Sequence, residues 1–333
     1  MLGQVLLLFI IVSVFASWLI KKNNNPYSNI NEITAKMKVM QYTAVPGFFL
    51  HDEEPEGPVF RAKTRDEFGI KEREYETDRK FWRDFAKLPQ EEQEARRQGA
   101  SDQWLRFQYF INHLNKHGQG KAEWKVIYVL RHGEGYHNVK EREVGRAEWE
   151  RYWSRIDGDD RSTWADSHLT STGQQQAAEV RRHVGSGRIY SPQSVYTSPL
   201  TRCLETTSII WGSSLTHTTV MENLRERFGV HTCDRRSRKS MIQANFPFCQ
   251  VGDDMTERDE LWKSDVRETE GDAAARASSA LRDIWTHDRN TYIAITAHSG
   301  FIRSLYAAIK HTDVWVAPGQ IMPLFIKGEL VDA

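Results

Sequence analysis

The sequence predicts an α/β protein, a three-layer α/β/α sandwich in which helices cover both faces of a mostly parallel central sheet. The first observation is alternation, because short apolar segments rich in β-branched residues recur between segments with helical periodicity. The second is that these apolar segments stop abruptly at charged or small residues, as buried parallel strands do. The carboxyl ends of parallel strands meet at one edge of a sheet, so we expect the side chains that follow them to share a ligand crevice.

An apolar run opens the chain. Residues 2–20 are interrupted only by Gly3, Gln4, Ser13 and Ser17, and Lys21 and Lys22 follow. As a helix this run would extend roughly 28 Å, close to the bilayer core thickness of about 30 Å. We therefore expect an N-terminal hydrophobic helix in residues 1–22 that anchors the chain to a membrane. A cleaved secretory signal is the alternative.

The lysines follow the apolar run and none precede it, which favours a catalytic domain on the cytoplasmic side. The sequence also has no Asn-x-Ser/Thr acceptor, and its three scattered cysteines form a poor disulfide framework. A secreted or luminal domain remains the alternative. Residues 23–41 are expected to form a polar tether.

We expect residues 42–123 to form an N-terminal extension that packs on a catalytic domain of residues 124–333. Within the extension, residues 72–97 carry many charges of both signs and predict a solvated helix. Ser101 is expected to cap the next helix, before Gly118. The apolar residues of that helix recur on one face and favour packing over partner binding: Trp104, Phe107, Ile111 and Leu114.

The first predicted strand, residues 126–131, ends at Arg131-His132-Gly133-Glu134. A neutral imidazole such as His132 can attack phosphorus and form a phosphohistidine if a backbone carbonyl or carboxylate holds its other ring nitrogen. Arg131 supplies planar, charged donors that match phosphoryl oxygens in pairs. Gly133 leaves room beside the anion. Alone, the tetrad also fits a strand end whose Arg and His meet solvent.

A second strand, which begins at Ser194, runs through Ser198-Pro199 into a helix predicted over residues 199–211. Pro199 suits the first turn of that helix. Arg202 would lie one turn in, near the positive end of the helix dipole, which favours an anion. A surface arginine is the alternative.

A third strand, residues 292–297, ends at His298 as the first ends at His132, and a helix is predicted over residues 300–310. His298 by itself would also fit a structural role. Two matched strand ends that carry histidine indicate a shared site.

A β-branched stretch, residues 216–220, precedes a segment with two carboxyl groups. Transfer of a phosphoryl group requires a proton for the leaving oxygen, and a partly desolvated carboxyl can hold it near neutral pH. Glu226 is our choice and Glu222 the alternative. Either also fits a solvated carboxylate.

Helices predicted over residues 169–184 and 272–285 complete the alternation. The formal net charge is zero and no basic block occurs, so binding to nucleic acid is not expected. Cys203, Cys233 and Cys249 are far apart with no close Cys/His pairing of the zinc type, so no metal site is expected. The absence of a Walker-type loop argues against a nucleotide kinase.

These segments together resemble the histidine phosphatase superfamily, in its phosphoglycerate mutase-like branch (branch 1). The similarity covers residues 124–310 most strongly. It lies in the tetrad Arg131-His132-Gly133-Glu134, Asn138, Leu169-Thr170 with Gly173, Ser198-Pro199-Leu200-x-Arg202, Leu224-Arg225-Glu226 and Thr296-Ala297-His298-Ser299-Gly300. Residues 229–236 and 261–269 look like segments of fungal and plant mutase-like proteins.

The resemblance implies that His132 is the phosphorylated nucleophile and that Glu226 is the proton donor. Arg131, Arg202 and His298 would form the phosphate clamp. Asn138 would be an accessory phosphate contact. No cofactor is implied, and the partner is a small phosphorylated substrate whose identity stays open, as does the oligomeric state.

Cofactor-dependent mutases carry a characteristic tract beyond the tetrad, and this chain has Gly135-Tyr136-His137-Asn138 there. The departure implies hydrolysis by a phosphatase. A phosphoglycerate mutase-type phosphotransferase and a non-catalytic phospholigand-binding protein are the alternatives. His137, Arg235 and Arg236 are expected to bind the rest of the substrate, or else to be ordinary polar surface. Arg267 and Glu268 are expected to be structural, as a buried pair or at the rim.

Overall fold

The computed structural model describes residues 38–118, 120–212 and 218–332. The β-strands in these ranges are Lys38–Ala44 (β1), Ala122–Arg131 (β2), Ser194–Thr197 (β3), Thr218–Val220 (β4), Cys249–Val251 (β5), Tyr292–Ala297 (β6) and Ile321–Asp332 (β7). The α-helices are Asp78–Phe85 (α1), Gln90–Gly99 (α2), Asp102–His117 (α3), Tyr136–Val144 (α4), Arg146–Arg151 (α5), Ser171–Val184 (α6), Thr201–Trp211 (α7), Lys239–Asn245 (α8), Glu270–His287 (α9) and Ser299–Ile309 (α10). Short 3-10 helices span Leu50–Glu53, Asp66–Gly69, Trp153–Arg155, Glu222–Leu224 and Thr232–Asp234.

The strands form one sheet in the order β1-β7-β2-β6-β3-β4-β5. The pairs β2-β6, β6-β3, β3-β4 and β4-β5 are parallel. The expectation of an α/β fold with a mostly parallel sheet is therefore confirmed. The register places Arg131 opposite Ala297 and Thr197 opposite Thr296, so three strands end together. The residues that follow them meet at one edge.

Alternate residues of β2 face two different apolar cores, since successive side chains of a strand point to opposite faces of its sheet. Val126, Tyr128 and Leu130 belong to one core, and Ile127 and Val129 to the other. The first core is completed by residues of α1, α3 and α6, including Phe81, Phe85, Trp104, Phe107, Ile111, Ala177 and Val180. The second is completed by residues of α9 and α10, including Ala277, Leu281, Ile284, Phe301, Ile302 and Leu305. Helices therefore cover both faces.

The extension differs from expectation in two places. The single solvated helix expected over residues 72–97 is two helices, because the residue before Pro89 is disfavoured in helical conformation. The first of them, α1, buries Phe81 and Phe85. Ser101 precedes α3 as expected, but its hydroxyl donates to Glu67 at 2.5 Å and does not cap the helix.

Residues 42–328 form one compact unit, and residues 38–41 and 329–332 are grouped in a second. The hydrophobic helix expected in residues 1–22 lies outside the described residues, as does most of the tether expected in residues 23–41. Lys38 already begins β1. In the described ranges, no helix is long and apolar enough to cross a membrane. The domain division at residue 124 stays a prediction.

Candidate active site

His132 follows β2 and is held in one tautomer by its own neighbour. Its Nδ1 lies 2.7 Å from the carbonyl oxygen of Gly133. A carbonyl only accepts, so Nδ1 carries the proton and Nε2 keeps its lone pair. Burial, with Arg202 and Arg131 nearby, lowers the pKa of this imidazole well below its usual value. His132 is therefore a neutral, oriented nitrogen base.

Arg202, in the first turn of α7, lies against this base. Its Nε donates to Nε2 of His132 at 3.3 Å. The other guanidinium nitrogens donate to the carbonyl of Cys233 at 2.6 Å and to Asp234 at 2.9 Å. The second oxygen of Asp234 accepts from Arg267 at 2.8 Å. Asp234 thus fixes two arginines at once.

Asp234 is ionised despite being buried. Burial alone would raise the pKa of its carboxyl, but Arg267 and Arg202 together lower it below its usual value. Sequence reasoning did not assign this residue. The only signal was the resemblance of residues 229–236, which did not single out Asp234.

Two more imidazoles surround His132. The ring of His298, after β6, lies 5.1 Å from that of His132, and its Nε2 is 2.7 Å from the Ser198 hydroxyl. The ring of His137, in α4, lies 5.5 Å from His132. Burial, reinforced by Arg202, lowers the pKa of both well below the usual value. The arginines are therefore the permanent cations of this group.

Arg131 and Glu226 both line the site and carry opposite charges. Nη1 of Arg131 donates to the Val316 carbonyl at 2.9 Å, and its buried Nε has no hydrogen-bond partner among the described residues. Burial lowers the pKa of Arg131 to about 10, and the carboxylate of Glu226 opposes that shift. The two oxygens of Glu226 accept from the amides of Gly300 and Arg227, each at 2.9 Å. These amides fix the orientation of the carboxyl group.

These groups open onto a cavity of about 450 Å³. Six of the residues expected at the site line it: Arg131, His132, His137, Asn138, Arg202 and Glu226. His298 is fully buried beside His132 and does not line the cavity. Further arginines that sequence reasoning did not assign to the substrate also line it: Arg61, Arg146, Arg227, Arg267 and Arg303.

The rim of the cavity carries an aromatic platform. The guanidinium groups of Arg61 and Arg303 lie 4.3 and 4.5 Å from the ring centre of Trp315. Arg303 pairs with Asp313 at 2.9 Å. Arg61 donates to the carbonyls of Pro58 and Phe60, and in the described ranges it pairs with no carboxylate.

Gly133 is needed for packing. A Cβ atom there would lie 2.4 Å from the carbonyl oxygen of Gly173, in the first turn of α6. The amide of Gly133 donates to the hydroxyl of Thr206 at 3.1 Å. Asn138 caps its own helix through the Gly135 amide at 3.1 Å. Gly133 does not line the cavity, whereas Asn138 does.

Arg235 and Arg236 are not brought to the cavity. Arg235 pairs with Asp157 at 2.9 Å on the surface. Arg236 is buried, and it bonds to Glu222 and to the carbonyl of Thr256. The alternative proton donor, Glu222, is thereby held away from His132. Arg235, Arg236 and Glu222 were expected near the substrate because of their position in the chain. Their ion pairs hold them elsewhere.

Arg267 and Glu268 do not pair with each other. Arg267 lines the cavity and pairs with Asp234, as described above. Glu268 is buried and accepts from Arg276 at 2.7 and 2.6 Å. His231, Cys233 and Asp234 lie close enough together to suit a metal ion. However, both oxygens of Asp234 bind arginines and His231 binds Glu150 at 2.8 Å, so these ligand atoms are already used.

The part of the sequence that carries these histidines, arginines and the carboxyl group matches a known family. The family model of the histidine phosphatase superfamily (branch 1) matches residues 127–318, more than half of the chain. The chain belongs to this superfamily. Within it, the chain is a phosphoglycerate mutase-like protein, which marks it as an enzyme of the phosphatase or mutase type.

The chain is similar to two curated fungal proteins and to one solved structure. A probable phosphoglycerate mutase from Arthroderma benhamiae is 36% identical over 305 residues, covering 89% of this chain and 87% of the relative. The probable phosphoglycerate mutase PMU1 of Saccharomyces cerevisiae is 31% identical over 223 residues, covering 58% of this chain and 74% of the relative. The solved structure of Bacillus stearothermophilus YhfR is 26% identical, covers 56% of this chain and 80% of its own, and has a TM-score of 0.37.

Proposed function

We propose that the protein is a phosphomonoester hydrolase that works through a covalent phosphohistidine at His132. One observation carries the proposal: a neutral His132, with its lone pair on Nε2, lines a cavity between Arg131 and Arg202. A phosphoryl group there would meet two guanidinium groups that stabilise the charge of the transition state. Hydrogen bonding from buried, oriented groups costs little reorganisation during the reaction.

In the first step, Nε2 of His132 gives up its hydrogen bond from Arg202, and its lone pair forms a bond to phosphorus while the bond from phosphorus to the alcohol oxygen breaks. Glu226 donates its proton to that leaving oxygen. In the second step, water attacks phosphorus and Glu226 takes its proton. The bond between nitrogen and phosphorus breaks, its electron pair returns to Nε2, and inorganic phosphate leaves.

The residues at the rim of the cavity favour a substrate that has a second anionic group. Arg61 offers a charge that pairs with no carboxylate in the described ranges, next to Arg303 and Trp315. Planar guanidinium groups bind carboxylates and phosphates bidentately. We expect a higher kcat/KM for phosphomonoesters that carry a second phosphate or carboxylate group than for those that do not. Arg61→Ala should remove this preference, whereas Arg65→Ala, outside the cavity, should keep it.

A mutase is the second candidate, because the two fungal relatives above are named probable phosphoglycerate mutases. In a mutase, a second hydroxyl of the bound substrate would take the phosphoryl group from His132, and no phosphate would be released. The tract Gly135-Tyr136-His137-Asn138 departs from the mutase pattern and supports hydrolysis.

The test is release of inorganic phosphate by the purified full-length chain from a panel of phosphomonoesters, including phosphoglycerates. His132→Ala should reduce release by about 1000-fold or more, since the nucleophile is lost. His183→Ala, which changes a histidine of α6 outside the cavity, should be active. Rapid acid-free quenching should trap phosphate on the wild-type and His183→Ala chains and not on the His132→Ala chain. Isomerised substrate without phosphate release would favour the mutase, and an active His132→Ala variant would remove the covalent mechanism.

We also propose that residues 1–20 anchor the chain to a membrane with the catalytic domain in the cytoplasm. The apolar run and the following lysines support this. The full chain should stay with membranes in alkaline carbonate, and a chain lacking residues 1–22 should not. Release of the full chain by carbonate would argue against an anchor.

A further inference from the structure

We propose that His51, Asp52 and His311 form a buried site for a divalent transition-metal ion such as Zn²⁺. This proposal goes beyond phosphate chemistry, and the sequence expectation was that no metal site exists. His51 and Asp52 are neighbours in the chain, but His311 lies 259 positions after Asp52, so no local spacing of ligands could indicate the set. The fold brings them together.

The three ligand atoms lie within 4.8 Å of one another, close to the spacing that a metal requires. Oδ1 of Asp52 lies 3.2 Å from Nε2 of His311 and 3.6 Å from Nε2 of His51. Zinc bonds of about 2.0–2.1 Å in tetrahedral geometry place ligand atoms about 3.3 Å apart. The two nitrogens and the oxygen therefore need little movement to share one ion.

Each ligand is oriented by a second hydrogen bond, as in established metal sites. Oδ2 of Asp52 accepts from the amides of Gly47, Phe48 and Phe49 at 2.7, 3.1 and 3.1 Å. These bonds aim Oδ1 at the histidines.

The histidines are held in the same way. Nδ1 of His311 lies 2.7 Å from the Thr312 carbonyl, and His51 bonds to the Pro323 carbonyl. Since carbonyls only accept, the bonded ring nitrogens carry protons, and in neutral rings both Nε2 atoms are left with lone pairs. Two lone pairs then face a carboxylate oxygen, an arrangement that repels unless a cation lies between them.

The three side chains of the cluster are buried from solvent. The side chains of His51 and His311 are each 3% exposed and that of Asp52 is 5% exposed. A protonated His311 would satisfy Asp52 but not His51, whose Nε2 has no hydrogen-bond partner among the described residues. A bound cation would satisfy all three ligand atoms. Uncompensated buried polar atoms are costly, which favours the cation.

The site has a structural consequence. His51 and Asp52 lie in the 3-10 helix Leu50–Glu53, and His311 follows α10 and lines the cavity. A metal would join the extension to the segment that carries Asp313 and Trp315 at the rim.

The test uses the full-length chain without a histidine tag, loaded with Zn²⁺ or Co²⁺ and passed through gel filtration. The wild type should retain about one metal ion per chain, and Co²⁺ should show visible absorption bands of a low-symmetry site. His51→Gln and His311→Gln should each lose the ion. His117→Ala should keep it, although the exposed His117 and the half-buried His113, with ring centres 4.1 Å apart, could bind metal adventitiously.

A second readout does not depend on the folding of the variants. A chelator should lower the thermal midpoint of the wild type by several degrees, and added Zn²⁺ should restore it. Phosphatase activity is not needed for either measurement, so failure here is distinct from failure of the proposed hydrolase. Wild-type protein that retains no metal, or glutamine variants that retain as much as wild type, would overturn the proposal.

Discussion

At the scale of single residues, the nucleophile is organised by a contact between neighbours in the chain. The carbonyl of Gly133 accepts from Nδ1 of His132, so no carboxylate is needed to set the tautomer. The sequence predicts that some acceptor must bind the protonated ring nitrogen of His132. Which acceptor does so depends on the rotamer of the side chain. The position of Arg202 was predictable, because a helix follows a strand there. Its hydrogen bond to His132 was not.

Asp234 shows why part of the site escapes sequence reasoning. It joins Arg202 and Arg267, which lie 32 and 33 residues away in the chain. Whether charges so far apart in the chain form a pair depends on the conformation of the loops between them. No periodic pattern in the sequence predicts this conformation. Arg61 was missed for the same reason, since it reaches the cavity from the extension.

Asp234→Asn should lower the free energy of unfolding by about 3–5 kcal/mol, because two buried guanidinium groups lose their shared anion. It should also lower kcat, because Arg202 is no longer held beside His132. Urea unfolding and phosphate release measure the two effects. Asp157→Asn, which breaks an exposed pair with Arg235, should change stability by less than about 1 kcal/mol. Equal effects of the two substitutions would contradict the role given to Asp234.

At the scale of elements, the turn after β2 packs directly on the first turn of α6. A Cβ on Gly173 would lie 2.1 Å from the carbonyl oxygen of Glu134. The hydroxyl of Thr170 caps α6 through the Gly173 amide at 3.1 Å and donates to the Glu134 carboxylate at 2.9 Å. The Leu-Thr-x-x-Gly pattern thus encodes both a helix cap and a close backbone approach.

Gly173→Ala should destabilise the protein by about 1–3 kcal/mol through overpacking. Because the displaced segment includes the Gly133 carbonyl, kcat should also fall. The matched control is Gly271→Ala in α9, where the nearest atom to a Cβ is 3.9 Å away. That change should be neutral or stabilise by up to about 1 kcal/mol. Thermal unfolding of both variants checks this, and an unchanged Gly173→Ala midpoint would show that the contact relaxes freely.

The elements that the sequence predicts best are those with strong periodicity. Strands β3 and β6 and helices α6, α7, α9 and α10 lie within about two residues of their expected bounds, and β2 ends as expected but begins four residues earlier, at Ala122. Strands β1, β5 and β7 were not expected. β5 has three residues, and Pro323 and Gly328 interrupt the apolar pattern of β7. The sheet order of such strands is set by tertiary packing, which local patterns do not contain.

At the scale of the whole molecule, the extension shares a core with the sheet. Trp104, Phe107 and Ile111 of α3 pack in the same cluster as Val126 and Tyr128 of β2. An aromatic stripe was correctly expected to be packing. How the stripe and the sheet fit together was not predictable, because it depends on contacts between distant segments.

Folding stability should fall as pH drops from about 6.5 to 5. Five histidines have lowered pKa values in the folded chain, all buried, and one, His168, has a raised pKa from its bond to Glu205. The unfolded chain therefore binds more protons in this range, and each excess proton costs about 1.4 kcal/mol per pH unit. Urea unfolding at pH 7 and 5.5 measures the difference. Equal or greater stability at pH 5.5 would contradict the prediction.

The sheet order also has a consequence for synthesis of the chain. β2 is made early, yet its two neighbours in the sheet, β6 and β7, come from the last part of the chain. A ribosome must therefore produce more than 160 further residues before Val126 pairs with Tyr292. Until then the apolar strand β2 has no partner on either side, and pairing over such separations is slow and prone to aggregation. We expect the nascent chain to depend on chaperones during this interval.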